Sequence, residues 1–518
     1  MTVKILIKTS EYHDSVTLML VARELTGMPG VKDAAVVMGT IANQSILEQS
    51  GLLIPEAQTA GPNDLVIAVS SDSEADAALA LVEAEKLLNK KQAASDTGEF
   101  RPKTIRSAVS ARPDSNVCII SIAGRYAADE AWEALKRGMH VLLFSDNVSL
   151  EDEIALKRYA RDQGLLLMGP GAGTAILNGV ALAFANVLPA GPVGIVSAAG
   201  TGLQEVSTLL AKCGVGLTQG IGTGGRDLKK EVGGIMFLEG LKALQDDPAT
   251  QIITIVSKPP AAEVRQKVME QVLRSSKPTV VCLLGGDPDE PSPAANVYMT
   301  TTLEEAGLLS AKLGGAQIPE PKVSIAAETK ELEGLARDLR KKLKPGQTDL
   351  RALFSGGTLC YEAQVIWRGL MRNPVYSNAP LNHDFAMADS TRSEKHVAVD
   401  LGEEEFTVGR PHPMIDNDLR VRRLLQEARD PATAVIFLDV VIGYGAHADP
   451  ASELGAAVQQ ARKLAAAEGR ELIFIASVTG TEQDPQGLTR TADTLRAAGV
   501  IVRNSNAAAA RLAGMVVG

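Results

Sequence analysis

Aromatic residues are scarce here, 3% of 518 positions, and no run of about 18 uninterrupted apolar residues occurs, so no membrane-spanning helix is expected. Cysteines number four, Cys118, Cys213, Cys282 and Cys360. They lie far apart without C-x-x-C spacing, which excludes a disulfide framework and a zinc site, so metal ligands are not expected. Cys360 reads as a small core residue rather than a nucleophile. The opening MTVKILIKTSEYHDS meets charge within a few residues and has no signal-peptide core, so a reducing cytoplasm is the expected location. Positive charge is short as well: 52 Lys and Arg stand against 62 Asp and Glu, a net charge of -10. Nucleic acid and anionic membrane are therefore not expected partners, because phosphate backbones reward clustered cations. Small anions stay within reach, since backbone N–H groups bind them without net charge. Phosphate loop, H-E-x-x-H, G-x-S-x-G elbow and kinase signatures are all missing.

What is present is a chain 45% hydrophobic with 47 glycines, in which short β-branched runs alternate with helical stretches. That is the signature of an α/β protein of roughly three or four domains. The pattern predicts a small α/β domain over 1–91, with strands at Val3–Lys8, Ala34–Met38 and Asp64–Val69 and helices at Ser15–Thr26, Asn43–Ser50 and Ser73–Asn89. A polar, unperiodic linker follows at 92–113. Residues 114–190 read as a Rossmann-like βαβαβ half with strands Val117–Ile122, His140–Phe144 and Leu165–Met168. Two α/β blocks complete the chain, 191–317 and 350–518, joined by a charged, Pro-bounded connector at 318–349.

The two blocks look like copies of one design. The first opens GIVSAAGTGLQE from Gly194 and the second LFSGGTLCYE from Leu353; aligning Gly200 and Thr201 with Gly357 and Thr358 also aligns Glu205 with Glu362. IGTGGRD from Ile221 has a looser echo in VGRPHP from Val408, and TIVSKPP from Thr254 meets FLDVVIGYGAHADP from Phe437. Each opening is a strand running into a Ser/Gly/Thr turn and a helix, which concentrates unpaired N–H groups and the positive helix end at one point. The candidate anion-binding residues are thus Ser197, Ala199, Gly200 and Thr201, then Ser355, Gly356, Gly357 and Thr358, with Gly224 and Gly225 in the nearby loop. Arg226 and Arg410 sit on Gly/Pro-rich loops where a guanidinium could clamp an anion, the bland alternative for Arg226 being a salt bridge with Asp227. His412 is the acid/base candidate, and His447 shares a strand-end loop with Asp449. His140 reads as buried, His383 and His396 as flanking an exposed loop, and His13 as structural. The strand-to-helix turn MGTIAN from Met38 is a weaker anion candidate.

At these residues the sequence resembles a known family. GIVSAAGTGLQE and IGTGGRD look like the ligase domain of the succinyl-CoA synthetase α subunit, and LLMGPGAG from Leu166 looks like the end of its CoA-binding domain. DSVTLM from Asp14, VMGTIAN from Val37, LFSDNVSLEDEI from Leu143, AFANV from Ala183, SKPP from Ser257, VGRPHPMID from Val408 and VVIGYGA from Val440 resemble FdrA, a bacterial branch of that superfamily. The resemblance implies a CoA-binding-type Rossmann domain followed by two flavodoxin-like ligase domains, with both helix starts facing one phosphate site. It departs from the synthetases where their phosphohistidine follows the strand matched by VVCLL; here the chain continues GGDPDEPS from Gly285. The glycine-rich first turn that holds CoA has no counterpart, and no ATP-grasp domain is present. The family's association with purine (allantoin) catabolism and oxamate carbamoyltransferase implies a carbamoyltransferase subunit with carbamoyl phosphate or phosphate and a small carboxylate as ligands, and CoA as the less favoured cofactor. In that reading Arg226 and Arg410 hold carboxylate or phosphate and His412 handles protons. The alternatives are an acyl-CoA synthetase needing a nucleotide-binding partner and a non-catalytic assembly or regulatory subunit. Partner subunits from the same pathway are expected, and a homodimer too, since the superfamily commonly dimerises.

Overall fold

The structure is a computed structural model that describes all residues except 1, 12, 14, 41–42, 45–46, 49, 95–101 and 408–410. The chain forms two compact units, Met1–Pro102 with Glu403–His412, and Lys103–Gly402 with Pro413–Gly518.

In the first unit the strand Leu65–Ser71 is central, with Thr2–Lys8 and Val31–Met38 antiparallel on either side. Alternation along the central strand sends Leu65, Ile67 and Val69 to one face, where Leu18, Leu25, Ala80 and Leu88 of the helices Ser15–Thr26 and Glu74–Ala94 pack. Val66 and Ala68 point to the other face and are covered by Leu47, Leu52 and Ala57. The helix expected at 43–50, and with it part of the MGTIAN turn, falls partly outside the described residues.

The second unit begins inside the stretch read as a linker. Thr104 and Ser107 form a reciprocal capping box that starts a helix, Ile105–Ala111. This helix escapes a periodicity reading because it is seven residues long and buries none of them. A three-stranded parallel sheet follows, Val117–Ile120, His140–Leu143 and Leu167–Met168 in that order, as a βαβαβ half requires. The hairpin Thr174–Leu177 and Val180–Ala183 does not join it; it pairs antiparallel with Leu217–Gly222 of the next sheet.

Both blocks carry a doubly wound parallel sheet. In the first the order is Leu217–Gly222, Ala190–Ser197, Ile252–Ser257, Thr279–Leu283, Val297–Thr300, which is 2-1-3-4-5 in block order. In the second it is Tyr376–Ser377, Val397–Asp400, Asp349–Phe354, Thr433–Val441, Ile473–Thr479, Val500–Arg503, which is again 2-1-3-4-5 once the two-residue edge strand Tyr376–Ser377 is set aside. This is the flavodoxin-like order, whose ligands bind at the carboxyl ends of the strands beside the switch point. Two of the three sequence echoes, the block openings and the pair at Thr254 and Phe437, fall on equivalent strands, as a duplication requires, whereas VGRPHP lies past the strand Val397–Asp400 and partly outside the described residues. Between 321 and 340 the connector is helical, and its Arg340 donates to the carbonyls of Val516 and Gly518 at the end of the last helix, Asn506–Val517. That last helix, NAAAARLAGMVV, is almost wholly buried because its small residues admit close neighbours. One core runs through both blocks, joining Leu203, Val206 and Leu210 to Leu359, Ala363 and Trp367 through Ala509 and Ala513. No helix among the described residues is long and apolar enough to cross a membrane.

Candidate functional site

The switch points of the two sheets are occupied by the starts of the helices Gly200–Lys212 and Gly357–Leu370. Neither start has a side-chain cap, and the first intrahelical bonds run from Leu203 N to Ala199 O and from Cys360 N to Gly356 O. The N–H groups of Gly200, Thr201 and Gly202, and of Gly357, Thr358 and Leu359, therefore have no intrahelical acceptor.

The two starts meet. A Cβ on Gly356 would lie 2.7 Å from Thr201 Cγ2 and 2.9 Å from Thr201 Oγ1, and one on Gly202 would lie 3.0 Å from Thr358 Cγ2. Only glycine permits an approach this close at 356. Thr201 and Thr358 are 7% and 5% exposed, and among the described residues neither hydroxyl has a hydrogen-bond partner. The contact follows an approximate two-fold relation that extends into the core. Glu205 of the first helix accepts from Asn506 N (2.9 Å), the first residue of the second block's last helix. Glu362 of the second helix accepts from Leu303 N (2.7 Å), the first residue of the first block's helix Leu303–Leu313. Each block thus caps the other's final helix. Burial, with Glu205 close by, pushes the Glu362 carboxyl up to about 8.

Half of the turn donors expected to bind an anion are used internally, which corrects the sequence reading. Ser197 Oγ accepts from Ala199 N (3.0 Å) and donates to Ala199 O (2.7 Å). In the second turn the N–H groups of Ser355 and Gly356 and the Ser355 hydroxyl all bond the buried Asp439 carboxylate, itself paired with Arg420 (3.0 Å). Asp439 follows Leu438, the partner of Leu353, and the same place in the first block is Val256 beside Ser197. The strand end after Phe354 therefore carries its own counter-anion, and only Gly200, Thr201, Gly357 and Thr358 keep open donors. Gly224, at φ +90°, turns the loop that places Gly225 over the first turn, its Cβ position 4.0 Å from Ala198 O.

Arg226 does not reach this point. Its Nε lies 2.8 Å from Glu153 Oε2, and Nη2 donates to Val148 O. The alternative pairing with Asp227 does not form either, because the wholly buried Lys157 needs that carboxylate: Nζ is 2.8 Å from both Asp227 and Glu153 and also donates to Thr223 O. Asp227 in turn accepts from Phe237 N (2.6 Å). His447 is likewise committed, with Nε2 3.2 Å from Glu453 and Nδ1 accepting from Asp449 N. Arg410 lies outside the described residues. His412 belongs to the compact unit of the N-terminal domain, not to the unit that holds the helix starts. Burial and the Asp400 carboxylate hold the Cys360 thiol well above its ordinary range, which leaves it a core residue. His396, expected beside an exposed loop, is buried and accepts from Leu350 N through Nδ1.

Sequence reasoning missed two charged groups at the second start, Lys258 and Asp400. Both stand directly at carboxyl ends of parallel strands, the place where a doubly wound sheet presents ligand contacts, and that position is the signal that would have found them. Asp400 Oδ2 is 2.5 Å and Lys258 Nζ 3.7 Å from the Cβ position on Gly357.

Two flavodoxin-ordered blocks joined at their helix starts define a CoA-ligase-type α/β protein. A family profile described as CoA-ligase matches residues 353–516, one described as CoA binding domain matches 190–285, and one described as AllF, heavy metal-associated domain, matches 1–103. The last segment contains no cysteine. YahF of Escherichia coli is 44% identical over 506 residues, 98% of this chain and 97% of its own. The chain belongs to the FdrA family of the succinyl-CoA synthetase superfamily. The succinate–CoA ligase α subunit 1 of Archaeoglobus fulgidus is 26% identical over 238 residues, 44% of this chain and 79% of its own. Among solved structures, ATP citrate lyase from Methanothrix soehngenii aligns over 42% of this chain and 38% of its own at 21% identity, with a TM-score of 0.33.

Proposed function

We propose that this protein is a subunit of a phosphate-linked carbamoyl- or acyltransferase of the oxamate carbamoyltransferase type, built on a succinyl-CoA-synthetase-like acyl-CoA ligase fold. The observation that carries the reading is the meeting of two uncapped helix starts, each with a buried threonine hydroxyl that has no partner among the described residues. Donors fixed in that way suit a phosphorylated acyl group, where negative charge gathers on phosphate and carbonyl oxygens as the bond to phosphate breaks. GGDPDEPS from Gly285 supplies no histidine to carry phosphate covalently, which favours direct transfer between phosphate and an acceptor. The substrates in this reading are carbamoyl phosphate and a small carboxylate such as oxamate, within purine catabolism and alongside partner subunits.

A second reading, an acyl-CoA ligase that takes its nucleotide site from a partner, is favoured by the CoA-binding match at 190–285. Mass spectrometry of products separates the two. The purified chain, alone and with the products of neighbouring genes, is given carbamoyl phosphate plus oxamate or, separately, ATP, CoA and small carboxylates. Carbamoylated product without CoA is the expected outcome. A CoA thioester formed with ADP would replace this reading by the second.

A further inference from the structure

A buried hydroxyl beside the first helix start belongs to neither block's opening turn. Thr174 begins the hairpin strand Thr174–Leu177, which follows the Rossmann-like half and joins the first block's sheet. Its main chain is fixed on both sides. Ala183 pairs with it across the hairpin, and the strand Leu217–Gly222 runs so near that a Cβ on Gly222 would lie 2.2 Å from Thr174 O. The residue is 1% exposed, and its hydroxyl has no hydrogen-bond partner among the described residues. A hydroxyl buried without a partner is destabilising, and valine would fill the same volume of the strand without leaving a polar group unpaired.

The hydroxyl faces the helix start. A Cβ on Gly200 would lie 3.6 Å from Thr174 Oγ1 and 3.9 Å from Gly173 N and, its own helix and chain neighbours apart, would meet no other atom within 4 Å. The Gly173 carbonyl accepts from Phe184 N (2.8 Å), but the Gly173 N–H finds no acceptor among the described residues. The space that glycine leaves open at position 200 is therefore bordered by the Thr174 hydroxyl, the Gly173 N–H and the unpaired N–H groups at the positive end of the helix Gly200–Lys212. Gly173 and Gly200 are only partly buried, whereas Thr174 and Thr201 are buried behind them. Convergent donors without acceptors suit an oxygen-rich anion. We propose that Thr174 is a ligand contact of the first helix start, its hydroxyl donating to an oxygen of the phosphate or acyl-phosphate group held at Gly200 and Thr201. The inference rests on the phosphate reading above and deepens it: the hairpin that follows the Rossmann-like half supplies a third wall to a site otherwise made by the two blocks.

The test is calorimetric titration of the full chain with inorganic phosphate at low salt, using wild type, Thr174→Val, Thr174→Ser, Gly200→Ala and Thr201→Val, with a melting temperature recorded for each. Thr174→Val is expected to weaken phosphate binding about tenfold or more, the size of one lost hydrogen bond to a charged group. Thr174→Ser is expected to stay within about threefold of wild type, because the hydroxyl persists. Gly200→Ala fills the space between helix and hairpin at ordinary contact distances. It is expected to bind about tenfold or more weakly while melting no lower than wild type, since alanine favours the helix; a merely structural role for this corner would not separate binding from stability in that way. Wild-type affinity in folded Thr174→Val or in Gly200→Ala would overturn the contact, as would equal weakening by Thr174→Ser and Thr174→Val. The helix-start reading itself would survive any of these results if Thr201→Val weakens binding, whereas wild type that binds no phosphate would overturn both.

Discussion

Thr201, Thr358, Gly202 and Gly356 have meaning only as a set. Each threonine is buried against the other block's turn, and each glycine is the residue that lets the opposite side chain come within van der Waals contact. The polar groups beneath them follow the same logic of cross-block dependence, and Glu362 gives it a measurable consequence. Its carboxyl is pushed from 4.5 up to about 8 by burial, with the carboxyl groups of Glu205 and Glu304 nearby acting in the same direction. Between those two values the folded protein holds a proton that the unfolded chain has released, so stability falls as pH rises through this window. Urea midpoints measured from pH 4.5 to 8 are expected to decline more steeply for wild type than for Glu362→Gln, which cannot titrate. Parallel curves would show that Glu362 does not carry the effect. Which single residues mattered was only partly legible in the sequence. Glycine and threonine in a strand-to-helix turn announced themselves, whereas Ser355 was read as a ligand contact because nothing local reveals that Asp439, 84 positions away, takes its donors. Arg226 was misread for the same reason: its partner Glu153 lies on a helix of a different sheet.

At the scale of elements, the duplicated strand–turn–helix unit explains why the fold could be read from sequence so far ahead of the site. Repetition of G-T-x-x-x-E in two places fixed the equivalence of the Gly200 and Gly357 helices, and the 2-1-3-4-5 order of both sheets follows from that unit plus right-handed crossovers. The echo between IGTGGRD and VGRPHP was the weak link. In the structure Asp400 and Gly402 are the residues at the strand end equivalent to Gly222 and Gly224, and the inserted residues after them moved the Gly-Arg pattern out of register. The reciprocal caps give a prediction at this scale. Glu205 serves Asn506 N and the Thr479 hydroxyl (2.5 Å), both in the second block. Glu205→Ala leaves these buried groups without their acceptor and should cost about 1–3 kcal/mol. The loss should appear as faster amide exchange at the start of the Asn506–Val517 helix rather than within the Gly200–Lys212 helix that bears the mutation. Exchange confined to the mutated helix would contradict the crossed arrangement.

For the whole molecule, one continuous core through both blocks means that the two helix starts are held by the body of the fold rather than by loops. A net charge of -10 surrounds a point where the open donors of Gly200, Thr201, Gly357 and Thr358 converge, so the anion binding proposed there rests on local geometry and not on a general field. The same acidic balance is why composition argued against nucleic acid yet could not reveal this point: its donors are mostly backbone, and backbone has no letter in a sequence. The central claim is that both helix starts act on one phosphorylated substrate, and steady-state turnover of carbamoyl phosphate by Thr201→Val and Thr358→Val tests it most directly. Valine keeps the shape and removes only the hydroxyl. The expected result is that each variant, though drawn from a different block, lowers kcat/KM for carbamoyl phosphate by about tenfold or more, as loss of a hydrogen bond to a charged group should. Turnover unchanged in either variant would contradict a site shared by the two blocks.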